Sequence, residues 1–210
     1  PDQLVFTVPL PDFNCSSKRK SILRTRRPMK LQQISESCFA VLNEKGRLCD
    51  SNSGFINRGG GVLVDTQSDL SHARRMAELF GSIWQGVPKR VVNTNESGDH
   101  VWGNQVFSGA EIIAHRTVPD RMMQAATPRE FQALLGGFDG LLSRLMLKAT
   151  RPGVLAIGRQ LGQDYDFDGI ELALPTTLFD TRYELDLDGT EVHLIYVGPC
   201  HQVGDTIIHV

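Results

Sequence analysis

The stretch NTNESGDHVWGN, residues 93–104, sets an adjacent Asp99–His100 pair among small polar residues directly after the apolar Val91-Val92. Imidazole and carboxylate groups on a turn at the end of a buried strand are what a catalytic metal site uses, because the backbone fixes their direction and the open side admits substrate. A second stretch of this kind, GPCHQVGD at residues 198–205, carries His201 after an alternating apolar run. The candidate site residues are therefore Asp99, His100 and His201, with Asn95 and Ser97 beside the first pair. Read alone, Asp99 equally fits the cap of a helix following Gly103. Ser97 lacks the GxSxG surroundings of a nucleophilic serine. Cys200 reads as a packed small residue. His72, His115, His193 and His209 stand in helix or strand contexts without a partner motif.

The elements that must position these residues alternate between strand and helix signals, which indicates an α/β fold. Cys38–Asn43, residues 54–57 and residues 61–64 are short apolar runs with the look of buried strands. Between residues 69 and 84, Leu70, Ala73, Met76, Ala77, Phe80, Ile83 and Trp84 recur at helical spacing and predict an amphipathic helix. Arg90–Val92 and residues 110–114 predict strands on either side of the polar turn. Thr127-Pro128-Arg129-Glu130 reads as a capped helix start, with proline at the first helical position and a carboxylate three residues after the cap. That helix should run through residue 135, break at the two glycines 136 and 137, and resume at residues 141–147. Residues 116–124 and 151–168 read as loops that would carry substrate choice. Around Asp188-Gly189, residues 183–187 and 191–196 alternate apolar and polar side chains, a strong hairpin signal. Residues 205–210 begin one more strand.

The chain has 210 residues with 40% hydrophobic and 22% charged side chains, the composition of an ordinary globular protein with a sizeable core. No apolar run reaches the length of a membrane helix. Of the net charge of −2, the first 28 residues hold six basic and two acidic side chains, leaving the remainder at −6. Nucleic acid is therefore not an expected partner of the folded part. Residues 1–28 read as a disordered leader or upstream extension, with a targeting or nucleic-acid arm as the alternative, and residues 29–210 as one domain. Four cysteines without CxxC spacing suit a reducing, cytoplasmic setting.

From about Met29 onward the sequence resembles the metallo-β-lactamase superfamily. Ser53-Gly54-Phe55 followed by Val62-Leu63-Val64-Asp65-Thr66 is similar to that family's strand pair ending in aspartate. NTNESGDHVWGN is similar to its T-H-x-H-x-D-H-x-x-G-N turn, and GPCHQVGD to its later G-P-x-H-T-x-G-D turn. The resemblance implies a four-layer αββα sandwich, C-terminally incomplete here. It also implies a metal-dependent hydrolase acting on an ester, thioester, lactone or amide bond of a small-molecule substrate through a metal-activated water. Its cofactor would be zinc, one ion rather than two, with iron as an alternative metal.

Carried over residue by residue, the motif's first two imidazoles are replaced by Asn95 and Ser97, while its Asp and third His are kept as Asp99 and His100. The later His is kept as His201, a ligand or a hydrogen-bond donor to the reacting oxygen. Asp65 would order the turns as an outer carboxylate. In the family the two altered positions and the later His build one metal position, and Asp99 with His100 belong to the other. An amide oxygen and a hydroxyl are poor zinc ligands beside imidazole, so the first position has lost two of its three. The ligands completing the second would come from segments beyond Val210. A degenerate or truncated member that binds a ligand or partner without turnover is the competing reading. An exposed C-terminal strand would then invite pairing into a homodimer.

Overall fold

A computed structural model describes residues 29–125, 127–130, 132, 161 and 164–210. The expectations for residues 1–28, and most of those for residues 131–163, lie outside the described residues. Among the described residues ten strands form two sheets, and the larger has the order β1 (Met29–Gln33), β2 (Cys38–Asn43), β3 (Ser53–Ile56), β4 (Val62–Val64), β5 (Arg90–Val92), β6 (Glu111–His115), β7 (Thr177–Phe179). Its first four strands are antiparallel neighbours, and β4 to β7 pair in parallel. The smaller sheet has the order β10 (Thr206–His209), β9 (Thr190–Tyr196), β8 (Arg182–Leu187), all antiparallel.

Hydrophobic alternation decides how these layers stack. On one face of the large sheet Val41, Phe55, Leu63, Val91 and Ile112 pack with Ala73, Met76 and Phe80 of helix α1 (Leu70–Phe80). On the other face Ile56, Val62, Val92, Ile113 and Phe179 meet Leu185, Leu187, Val192 and Leu194 of the small sheet. Central parallel strands such as Val62–Val64 are apolar on both faces because both are covered. Leu63 is 1% exposed, so Leu63→Ala would cost about 2 to 5 kcal/mol. Helix, sheet and sheet make three of the four expected layers among the described residues. On the outer face of the small sheet Ile207 is 52% exposed.

Asp69 caps α1, its side chain accepting from His72 N. The helix is shorter than the 69–84 periodicity suggested: it ends at Phe80, and Ile83 and Trp84 reach the same core from the turns that follow. Residues 118–124, expected as loop, form helix α3 (Val118–Gln124), whose first turn contains Pro119 and whose Val118 and Met122 are buried. Pro119 supports a helix start, since proline in a first turn removes an N–H that has no partner there. Strands β1 and β7 add edges to the large sheet that the pattern did not reveal. The hairpin turn forms as expected, Asp188 and Gly189 both taking positive φ, at 55° and 86°.

Candidate functional site

Strands β4, β5 and β6 point their carboxyl ends the same way, and the loops leaving them meet there, where parallel sheets build ligand sites. The loop after β4 is Asp65 to Asp69, and every one of its side chains is buried. Asp65 adopts a left-handed φ of 58°, a conformation that costs a non-glycine residue about 1 kcal/mol or more. Its carboxylate is held there by three donors: Thr94 N at 2.8 Å, Thr94 Oγ1 at 2.7 Å and His100 Nδ1 at 2.7 Å.

The turn after β5 leads into a short helix, α2 (Gly98–Val101), which carries both Asp99 and His100. Asp99 therefore lies inside α2 and does not cap the 3-10 helix Asn104–Phe107, whose cap position is Gly103. With Nδ1 on Asp65, the Nε2 atom of His100 stands 3.5 Å from Asp99 Oδ2. Burial alone would lower the His100 pKa, but the hydrogen bond and charge of Asp65, with Asp99 and Asp205 nearby, outweigh it and raise the pKa to about 9. An imidazole fixed at Nδ1 by a carboxylate presents Nε2 in the manner of a metal ligand with its outer partner.

Four further residues fix the turn's shape. Asn104 is fully buried; its Nδ2 donates to Asn93 Oδ1 at 2.9 Å and its Oδ1 accepts from Asn93 Nδ2 at 3.0 Å. Thr66 N donates to His100 O at 2.8 Å, tying the loop after β4 to α2. Gly103 packs so closely that a Cβ there would overlap the Thr66 carbonyl. The polar character of residues 93–104 thus has a structural part, the Asn93–Asn104 amide pair, beside its chemical part.

The other candidates are placed differently. Asn95 is buried, and its Oδ1 accepts from Ser97 N at 2.9 Å. Ser97 Oγ accepts from Gln202 Nε2 at 2.8 Å, so neither oxygen is presented as a free ligand. His201 lies exposed on the turn between β9 and β10, brought to the first turn by its neighbour Gln202. Cys200 is exposed, not packed, on the turn between β9 and β10, where Sγ donates to Val197 O. Among the described residues no three His, Cys, Asp or Glu side chains converge as a metal cluster. Asp99 and His100 suit a metal in type; Asn95 and Ser97 do not.

Beside this site lies a buried polar network. Asp69 Oδ1 and His72 Nδ1 are 2.8 Å apart, His72 stacks on Tyr165 at 5.0 Å, and Tyr165 donates to Asp50 Oδ1 at 2.7 Å. Arg47 binds Asp50 and Asp164, each at 3.0 Å. Ser51 Oγ donates to Asp99 O, which joins the network to α2. Burial, then the charges of Asp99 and Asp50, push the Cys49 pKa up to about 11 and disfavour its thiolate.

No protein-family model and no curated protein sequence matches this chain. Solved structures do. The chain is similar to the stereoselective inverting sec-alkylsulfatase Pisa1 from Pseudomonas sp., with 16% identity and a TM-score of 0.59 over 87% of this chain and 29% of that one. It is similar to a metallo-β-lactamase from Pontibacter korlensis at 12% identity, TM-score 0.55, covering 87% of this chain and 67% of that one. The third is the metallo-β-lactamase FIM-1 from Pseudomonas aeruginosa in its mono-zinc form, at 13% identity and TM-score 0.53, covering 87% and 64%. These likenesses show the fold: the chain has the metallo-β-lactamase fold, shared with metallo-hydrolases. It spans less than a third of the alkylsulfatase's length. No helix among the described residues is long and apolar enough to cross a membrane.

Proposed function

We propose that this protein is a hydrolase that works with one metal ion, held at the Asp99–His100 position. The observation that carries this reading is the line of three side chains: Asp65 holds His100 by Nδ1 at 2.7 Å, and His100 Nε2 faces Asp99 Oδ2 at 3.5 Å. A divalent ion there, zinc or iron, would supply an activated water and a Lewis acid for the scissile carbonyl. Asp65 fixes the ring's orientation through Nδ1, so an ion bound at Nε2 would displace the proton that the raised pKa leaves there. Asp99 would orient the water. His201, exposed on the facing turn, would donate to the oxygen on which charge develops. The substrate class is an ester, thioester, lactone or amide of a small molecule. That one solved relative in fold is described in a mono-zinc form supports a single ion.

A second reading, a protein that binds a ligand or partner without turnover, is favoured by the hydrogen-bonded state of Asn95 and Ser97. A panel of activated esters, thioesters, lactones and amides, assayed with added zinc and with chelator, separates the two. Turnover that needs zinc and is lost in Asp99→Ala supports the hydrolase. Zinc binding without turnover of any substrate in the panel supports the second reading.

A further inference from the structure

The turn carrying His201 is fastened to the turn carrying His100 by side chains that the metal chemistry does not use. Glu96 stands between Asn95 and Ser97, and its side chain points away from solvent, the residue being 7% exposed. One of its oxygens accepts from Val203 N at 3.0 Å and the other from Gly204 N at 2.9 Å. A Cβ at residue 204 would lie 2.5 Å from Val118 Cγ2 and 2.8 Å from Glu96 Oε2, so glycine leaves room here for both side chains. Gln202 adds the link to Ser97 Oγ at 2.8 Å while Asp205 Oδ2 accepts from its backbone N at 2.7 Å. Thr206 N donates to Thr94 O at 2.9 Å and closes the base of the junction.

Gln202 engages Ser97, and Asn95 accepts from Ser97 N, so the two residues that stand where the resemblance puts imidazoles of the first metal position are both tied into the junction. An ion would have to share Ser97 Oγ with Gln202 and Asn95 Oδ1 with Ser97 N, and would gain only two weak oxygen ligands. Multiple hydrogen bonds to one buried carboxylate are among the stronger links a protein can make. We propose that a metal-independent latch has replaced the first metal position, with Glu96 and Gln202 as positioning residues that hold the His201 turn in place. The proposal stands whether or not Asp99 and His100 hold an ion.

Amide hydrogen exchange reads the latch directly at Val203 and Gly204. In the wild-type chain both amides exchange slowly, at rates that neither EDTA nor added zinc alters. In Glu96→Gln at least one of the two exchanges about tenfold faster or more, while amides of β5 and β6 keep their protection. Gln202→Met removes only the link to Ser97, and residues 200–204 then exchange faster with an unchanged unfolding midpoint. Restoring two imidazoles by Asn95→His with Ser97→His adds one zinc equivalent per chain, because His201 is already positioned. Faster wild-type exchange at Val203 and Gly204 after EDTA would show that an ion holds the turns and would overturn the proposal. So would unchanged exchange in both Glu96→Gln and Gln202→Met, or wild-type zinc content that falls in Ser97→Ala.

Discussion

His100 Nδ1 and Asp65 Oδ2 stand 2.7 Å apart, across the gap between the loop leaving β4 and the helix following β5. Asp65 is only 4% exposed, and Thr94 supplies its other donors. Asp65→Asn keeps the shape but removes the charge and faces an amide toward at least one donor. It should destabilise the chain by about 3 kcal/mol, as expected when one partner of a buried charged pair is removed. The His100 pKa should fall from about 9 toward that of a free imidazole. Denaturant unfolding and NMR titration of the His100 ring check both effects. An unchanged titration would mean that the ring is not held by Asp65.

Acid should weaken the fold through the buried network beside the site. The carboxyls of Asp69 and Asp50 are buried, which would raise their pKa values, but hydrogen bonds and charge from His72 and Arg47 respectively prevail and hold both below the usual carboxylate range. A folded-state pKa below the unfolded one gives stability that is present above about pH 4 and is lost as pH falls through the depressed values. Melting temperature should therefore hold near neutrality and drop steeply below about pH 4. Asp69→Ala, which also loses the α1 cap, should cost about 3 kcal/mol or more at pH 7 and flatten the acid limb. An acid limb equally steep in Asp69→Ala would assign it to other carboxylates.

Gly103 is required by space, its φ of −86° being open to any residue. Gly103→Ala would push a methyl into the Thr66 carbonyl and the Ala73 side chain. Overpacking of this kind costs about 1 to 3 kcal/mol. The loss should appear as a lower unfolding midpoint together with weaker metal binding, because Thr66 N ties this loop to His100 O. A midpoint within error of wild type would contradict the close packing.

Among the described residues strand β10 lies at the edge of the small sheet, and Ile207 on it is 52% exposed. Such an edge offers free backbone groups to another chain. Sedimentation should show concentration-dependent association that Ile207→Lys suppresses. A clean monomer at high concentration would remove the edge as a pairing surface.

How much of this was legible in the sequence follows from the range of each signal. Short-range signals succeeded: Asp188-Gly189 dictates its hairpin through positive φ, and the apolar spacing from Leu70 to Phe80 marks α1, whose Asp69 cap went unread. Strand β1, MKLQQ, carries two glutamines and a lysine because it is an edge, and edge chemistry hides the strand pattern. Strand β7 has three residues, too few to show a period. Within the site, Asp99, His100 and His201 stood out as residue types at turn positions, and Asp65 only through the resemblance. Glu96 was not, since its partners lie 107 and 108 residues along the chain and are backbone groups that carry no side-chain signature. The Asn93–Asn104 pair was written in the same polar stretch but had no signal separating scaffold from chemistry.

The central claim is that Asp99 and His100 form one metal position and that Asn95 and Ser97 form none. Elemental analysis of the chain purified without chelator and equilibrated with zinc tests it most directly, with Asp99→Ala, His100→Ala and Ser97→Ala measured alongside. About one zinc per chain at saturating zinc, held weakly because Asp99 and His100 are only two of the three protein ligands a catalytic zinc takes, lost in the first two variants and kept in Ser97→Ala, is the expected result. Wild-type metal no higher than in Asp99→Ala and His100→Ala would contradict it, and the chain would then be a binding protein built on a hydrolase fold.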